Sequence, residues 1–214
     1  MSDSATVFVV DDDAPYLASL ARLLRVAGYS VEVFTSALDF LENRPVHARG
    51  CVVTDLHMPE LDGIALQDAL ARTQNPLPIV FLTGVGDIPT SVSAIRRGAE
   101  DFLTKTAPKG ELLDAIERAL VRDAREHEER VRKHELEMRF ANLTPREAEV
   151  LAHVLSGRMN KQIAADLGID ERSVKRHRSN LMTKLAVRSV AEIAQLVSDA
   201  GMRSRFRMPS GSAT

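Results

Sequence analysis

The chain has 214 residues, 44% hydrophobic and 27% charged, with one cysteine and no tryptophan, which is ordinary globular composition and enough length for two modest domains. One cysteine excludes an internal disulfide and a zinc cluster, no apolar run approaches the roughly 18 residues of a membrane span, and the N-terminus lacks a basic region followed by an apolar block, so a cytoplasmic protein is expected. The net charge of -2 hides an asymmetry: residues 1–121 carry 10 Lys and Arg against 17 Asp and Glu, while residues 122–214 carry 18 against 13, which directs attention to nucleic acid at the basic end.

Thr6-Val7-Phe8-Val9-Val10 reads as a buried strand and ends in Asp11-Asp12-Asp13. Asp13 or Ala14 caps a helix with Pro15 in its first turn, Leu17, Leu20, Leu23 and Leu24 on one face, and Gly28 at its end. Val31-Glu32-Val33-Phe34 alternates as a short strand, and Leu38, Phe40 and Leu41 suggest a short helix. Cys51-Val52-Val53-Thr54 is a second buried-type strand, and the breakers Met58-Pro59 and Asp62-Gly63 end it near Asp55. Cys51 itself is expected to be a small core residue. Residues 61–72 read as a helix. Pro78–Thr83 is a further buried strand, residues 89–97 a helix closed by Gly98, and Glu100–Thr104 a short strand followed by Lys105.

Five strands alternate with helices, which predicts a doubly wound parallel sheet. In such sheets ligands bind at the carboxyl ends of the strands. Asp11, Asp12, Asp55, Thr83 and Lys105 all fall there. Two strands ending in carboxylates make an oxygen-rich pocket suited to Mg²⁺. Thr83 is placed to donate to a phosphoryl oxygen, and Lys105 to neutralise the carboxylates and pair with that group. Asp55 is read as a phosphoryl acceptor. His57, two residues on, is read as a tuner of phosphoryl lifetime rather than a catalyst.

Residues 5–121 resemble a response-regulator receiver domain, through Asp11 and Asp12, the Asp55-x-x-Met58-Pro59-x-x-Asp62-Gly63 signature, Thr83, Phe102 and Lys105. The resemblance implies a flavodoxin-like fold with strand order 2-1-3-4-5. It implies Mg²⁺ held by Asp12, Asp55 and the main-chain carbonyl of His57 with help from Asp11. It implies phosphoryl transfer from a sensor histidine kinase, with Thr83 and Phe102 as a switch pair and helix 89–97 with strand 100–104 as a dimer face. One departure stands out: such domains usually follow the lysine with a cis proline, whereas Thr106 follows Lys105. A cis bond there would cost about 2.5–4 kcal/mol, so either that cost is borne or the loop runs trans with Lys105 placed differently.

A helical pattern begins at Lys109 and continues through residues 122–139, where 12 of 18 positions are Asp, Glu, Lys or Arg. Val131 and Met138 recur at seven-residue spacing, as do His127 and His134. The segment is a solvated spacer helix or a thin coiled coil carrying dimer register.

Thr144, Pro145 and Glu147 form a capping box that opens a new domain. A second helix spans Asn160 to Leu167, Gly168 makes a tight turn, and Asp170 caps a third helix from Glu171 to Leu185. Ser189 and Glu192 form another capping box before a fourth helix to about Ala200. A charged helix placed second in a helix-turn-helix is the one that enters the major groove. Here Val174, Leu181 and Leu185 are expected inward, and Arg172, Lys175, Arg176, Arg178, Ser179 and Lys184 outward. Residues 143–200 resemble the LuxR-type DNA-binding domain of the NarL/FixJ family, through Leu143–Glu147, Asn160–Ala164 and Ser173–Leu181. The resemblance implies base contacts from Lys175, Arg176 and Ser179, phosphate contacts from Lys161 and Arg178, and dimerisation on DNA through the fourth helix, with Val190, Ile193 and Val197. Arg176 replaces a usual small apolar residue and can pair with guanine, which alters site preference.

The expected organisation is a receiver at 1–121, a helical linker at 122–142, an all-α four-helix DNA-binding domain at 143–202 and a disordered tail at 203–214. The expected function is a transcription regulator phosphorylated at Asp55 by a partner kinase. It dimerises when phosphorylated, binds promoter DNA and works with RNA polymerase. It is no enzyme beyond its own Mg²⁺-dependent phosphoryl transfer and slow dephosphorylation. Two other readings are weighed. An aspartyl phosphatase of the haloacid-dehalogenase kind would need an acid where His57 stands. A phosphorylation-independent DNA binder would use the receiver only as a dimer scaffold.

Overall fold

In the computed structural model, residues 5–84, 88–202 and 205–206 are described, and the chain divides into two compact units that meet between His127 and Glu128. In the first unit, five parallel strands, β1 (Thr6–Val10), β2 (Ser30–Phe34), β3 (Gly50–Thr54), β4 (Ile79–Thr83) and β5 (Asp101–Thr104), form one sheet in the order β2-β1-β3-β4-β5. The helices are α1 (Ala14–Val26), α2 (Ala37–Asn43), α3 (Gly63–Ala71), α4 (Ile88–Arg96) and the first part of α5 (Lys109–Ala141).

Every residue of β3 and β4 is buried, which is why these strands read as unbroken apolar runs. Their side chains alternate between two cores. Phe8, Val10, Val52, Ile79 and Phe81 pack on one face with Phe40, Leu66 and Leu70. Val7, Val9, Cys51, Val53, Val80 and Leu82 pack on the other with Leu17, Leu20, Leu24 and Ile116. Burial pushes the Cys51 thiol well above its usual range, in keeping with a core role.

Residue pairing carries the strand ends to one edge. Val10 pairs with Thr54, and the Asp55 amide donates to the Val10 carbonyl (2.9 Å), so Asp11 and Asp55 emerge side by side. Thr83 pairs with Thr104, and the Lys105 amide donates to the Thr83 carbonyl (2.8 Å). At the opposite edge, Asp123 of α5 is fully buried. Its Oδ2 accepts from the Gly50 amide (3.0 Å) and from Arg49 Nε (2.9 Å), tying α5 to the start of β3.

The second unit contains the remainder of α5, then α6 (Pro145–Leu155), α7 (Asn160–Leu167), α8 (Glu171–Leu185) and α9 (Val190–Asp199). Its core joins Val150, Leu151, Val154, Ile163, Val174, Leu181, Leu185, Ile193 and Val197. Thr144 and Glu147 form the expected capping box. Gly168 turns in the left-handed region at φ 64°, and Asp170 caps α8 by accepting from the Ser173 amide. Burial opposes ionisation of Glu147, yet its bonds to Lys184 and Thr144 win and hold the carboxyl below the usual range.

Four details differ from the expectation. Leu136 and Phe140 of α5 are buried in this core, so the segment expected to be linker contributes to it, while Val131 (43% exposed) and Met138 (51%) stay outside. Ser189 accepts from the Glu192 amide, but the Glu192 carboxylate reaches the Arg188 amide, one residue too early for a full capping box. Phe206 is buried against Phe140, with ring centroids 5.5 Å apart, so the expected disorder fails at that residue. The rest of that tail, apart from Arg205, lies outside the described residues. Finally, Ile193 (1% exposed) and Val197 (3%) are core residues, because α9 turns its apolar stripe inward to cover α6. They cannot also form a dimer face in this fold; Val190, Ala191 and Ala194 are the exposed apolar positions on α9.

Candidate phosphoacceptor site and nucleic-acid interface

Asp55 follows the last residue of β3 and is 8% exposed. Its Oδ1 accepts from the Leu56 amide (2.7 Å), which leaves Oδ2 facing Lys105 Nζ (3.2 Å). Asp11 follows β1 and is 2% exposed; its Oδ1 accepts from the Asp13 amide (2.9 Å), and its Oδ2 lies 2.7 Å from the same Nζ. Asp12 is exposed, and one oxygen from each of Asp11, Asp12 and Asp55 falls within 4.8 Å of the others. These carboxylates converge because the parallel register of β1 and β3 is in step.

The electrostatics follow from crowding. Burial raises the Asp11 carboxyl above its usual value, and the nearby Asp55 charge adds to that, against the opposing pull of Lys105. Desolvation alone would lower the Lys105 amine, but its bonds to Asp11 and Asp55 raise it. One ammonium thus serves two buried carboxylates, with a third carboxylate adjacent. A site of oxygen donors with surplus negative charge fits a hard divalent cation.

The loop after Asp55 is shaped by close backbone contacts. The Gly63 amide donates to the Leu56 carbonyl (2.9 Å), and Asp62 caps α3 through the Ala65 amide (2.7 Å). A Cβ on Gly63 would lie 2.5 Å from the Asp55 carbonyl oxygen, so only glycine lets α3 start against the acceptor loop. His57 is exposed on this loop. Thr83 is fully buried at the end of β4, and Phe102 is half-buried with its ring 5.7 Å from that of Phe81.

Every described peptide bond is trans, including Lys105–Thr106. The lysine nevertheless reaches both carboxylates, so a trans loop does not displace it. Sequence reasoning missed Tyr16, whose ring lies 4.6 Å from Lys105 Nζ. An aromatic residue in the first turn of a helix carries no local signal of that contact.

In the second unit, α8 buries Val174, Leu181 and Leu185 and exposes Lys175, Arg176 and Ser179 on one face. Lys161, at the start of α7, is exposed as well. Lys175 lies 3.5 Å from Glu171 one turn earlier, an exposed pair worth little. Arg178 is half-buried and donates to Asn160 Oδ1 (2.7 Å), which ties α8 to the start of α7. Lys184 is exposed, as expected, and is also paired within the unit, donating to Glu147 (2.7 Å) and the Asn142 carbonyl (3.1 Å). Lys175, Arg176 and Ser179 thus form an exposed polar face on α8, while Arg178 is engaged by Asn160.

Comparison with known proteins follows the same division. The response regulator receiver domain family matches residues 7–117, and the luxR family of bacterial regulatory proteins matches residues 141–197. The chain is 42% identical over 197 residues to response regulator protein TodT of Pseudomonas putida, covering 92% of this chain and 87% of that protein. It is 38% identical over 202 residues to transcriptional regulatory protein FixJ of Bradyrhizobium diazoefficiens, covering 94% and 98%. Among solved structures, response regulator StyR is similar at 47% identity with a TM-score of 0.80, covering 91% of this chain and 98% of that one. Full-length FixJ from B. japonicum is similar at 37% identity with a TM-score of 0.56, covering 94% and 99%.

Proposed function

Because the chain belongs to the two-component response regulators that join a receiver domain to a LuxR-family DNA-binding domain, we propose that Asp55 is its phosphoryl acceptor and that a sensor histidine kinase is the donor. The observation that carries this reading is the Asp55 carboxylate itself, with one oxygen held by the Leu56 amide and the other beside the Lys105 ammonium. A carboxylate oxygen of Asp55 attacks phosphorus of the donor phosphohistidine. The P–N bond breaks, its electron pair returns to the imidazole, and an acyl phosphate forms on Asp55. Lys105 offsets charge on the phosphoryl oxygens, and Thr83 supplies a hydroxyl at the neighbouring strand end. Asp11, Asp12, Asp55 and the His57 carbonyl would hold Mg²⁺, which when bound neutralises charge gathered on the transferring group. The contact of Lys105 with Asp55 across a trans loop supports this reading over a phosphorylation-independent regulator.

The output is sequence-specific binding of promoter DNA by a dimer, read by Lys175, Arg176 and Ser179 in the major groove, with Lys161 and Arg178 on the backbone. Phosphorylation acts through Thr83 and Phe102 on α4 and β5, which form the receiver's dimer face. No helix among the described residues is long and apolar enough to cross a membrane; a sensor kinase and promoter DNA would meet this protein in the cytoplasm.

Light scattering on the intact chain with Mg²⁺, with and without beryllium fluoride as a phosphoryl mimic, tests this reading. A monomer that doubles its mass only with the mimic is expected; an unchanged mass would sink phosphorylation-driven dimerisation. Lys175→Ala should weaken specific DNA binding by about 1–3 kcal/mol relative to non-specific DNA. Equal affinity for the specific site in mobility-shift titrations would mean that α8 docks with another face.

A further inference from the structure

We propose that Tyr16 is a positioning residue for Lys105, its ring forming the wall against which the ammonium is held between Asp11 and Asp55. Tyr16 sits in the first turn of α1, where its amide donates to the capping carboxylate of Asp13 (3.1 Å). That bond fixes the start of the helix directly after the acidic run. The ring is half-buried and packs against the core that includes Leu17, Leu20 and Ile116. Its centroid is 4.6 Å from Lys105 Nζ, inside the roughly 6 Å range of a cation–π contact.

The geometry gives the ring work that neither carboxylate can do. A lysine side chain is flexible, and its ammonium is strongly hydrated. The Lys105 side chain is only 17% exposed, and its Nζ lies 2.7 Å from Asp11 and 3.2 Å from Asp55. Two carboxylates alone would let the ammonium slide from one to the other. A neutral aromatic face beside them attracts the cation without adding a negative charge to a site that already holds three carboxylates. A phenol is neutral at physiological pH, and burial of the Tyr16 ring pushes its phenol further in that direction. Two of the three N–H donors are taken up by the carboxylates, and the contact with the ring sets where the remaining donor points. The contact exists whatever Asp55 does; only its consequence for phosphoryl transfer rests on the function proposed above.

The test has two arms on the full-length chain. In the first, without metal, lysines are reductively methylated and the rate at Lys105 is read by peptide mass, with Lys109 as an internal reference. Tyr16→Leu should raise the Lys105 rate about three- to tenfold, the range of a partly desolvated cation–π contact, and Tyr16→Phe should return it to the original value. In the second, labelling of Asp55 by acetyl phosphate should slow by a similar factor in Tyr16→Leu and recover in Tyr16→Phe. Tyr16→Met, closer in volume and unbranched, replaces Tyr16→Leu if the leucine variant melts early. Equal Lys105 rates in the original chain and in the leucine or methionine variant would overturn the proposal. A changed Lys105 rate in a chain that never labels at Asp55 would support the contact and overturn the phosphoacceptor reading instead.

Discussion

Asp55→Asn should erase labelling of the intact chain by acetyl phosphate. The amide is isosteric with the carboxylate but carries no anionic oxygen to attack phosphorus. Its carbonyl can still accept from the Leu56 amide, as Asp55 Oδ1 does now at 2.7 Å. The amide NH₂ would then face the Lys105 ammonium, donor against donor, so the lysine would rest on Asp11 alone. Loss of that bond and relief of carboxylate crowding oppose each other, and stability should change by no more than about 1 kcal/mol. The variant therefore separates chemistry from folding. Its melting temperature should stay within several degrees of the original chain's while labelling falls to background. Persistent labelling would move the acceptor to another carboxylate, with exposed Asp12 the first to examine.

The second large effect lies at the far edge of the sheet. Gly50→Ala should leave the first unit without a cooperative thermal transition. Gly50 opens β3 at φ 134°, where a side chain is strained whatever the space. Space is lacking too: a Cβ would sit 1.8 Å from the Thr6 carbonyl oxygen of the paired strand. Relief would require β1 and β3 to part at the step where Thr6 faces Gly50. The same shift would pull the Gly50 amide from Asp123 Oδ2, leaving a buried carboxylate with its Arg49 contact disturbed. Breaking a buried pair of this kind costs about 3–5 kcal/mol by itself, a large share of a domain's total stability of about 5–15 kcal/mol. Near-ultraviolet circular dichroism and amide exchange in β1 and β3 would report it; a melting temperature within a few degrees of the original would refute the close approach.

Much of the site could be read from residue order alone. Apolar runs ended in Asp11, Asp55 and Thr83, a short strand ended before Lys105, and parallel strands put such ends on one edge. Helix caps were equally legible at Thr144 and Asp170, since a cap is satisfied within three residues. Charge on α8 was legible as a face, because the positions of Lys175, Arg176 and Ser179 follow from helical spacing.

Contacts between distant segments were not legible. That Tyr16 lies over Lys105, 89 positions later, depends on how α1 packs on the sheet and not on any local pattern. Asp123 looked like one more charge in a charged helix, yet it is fully buried on Gly50 and Arg49. Lys184 looked like part of a basic face, yet Glu147 on α6 holds it. Ile193 and Val197 were expected on a dimer helix only through the family resemblance, and the domain's own core holds them. Elements, most caps and the residues at strand ends follow from residue order, because hydrophobic period and backbone satisfaction act over a few residues. Which charges are paired and which apolar faces are spent emerges only from the packed chain, because it depends on which distant groups meet once water has been excluded between them.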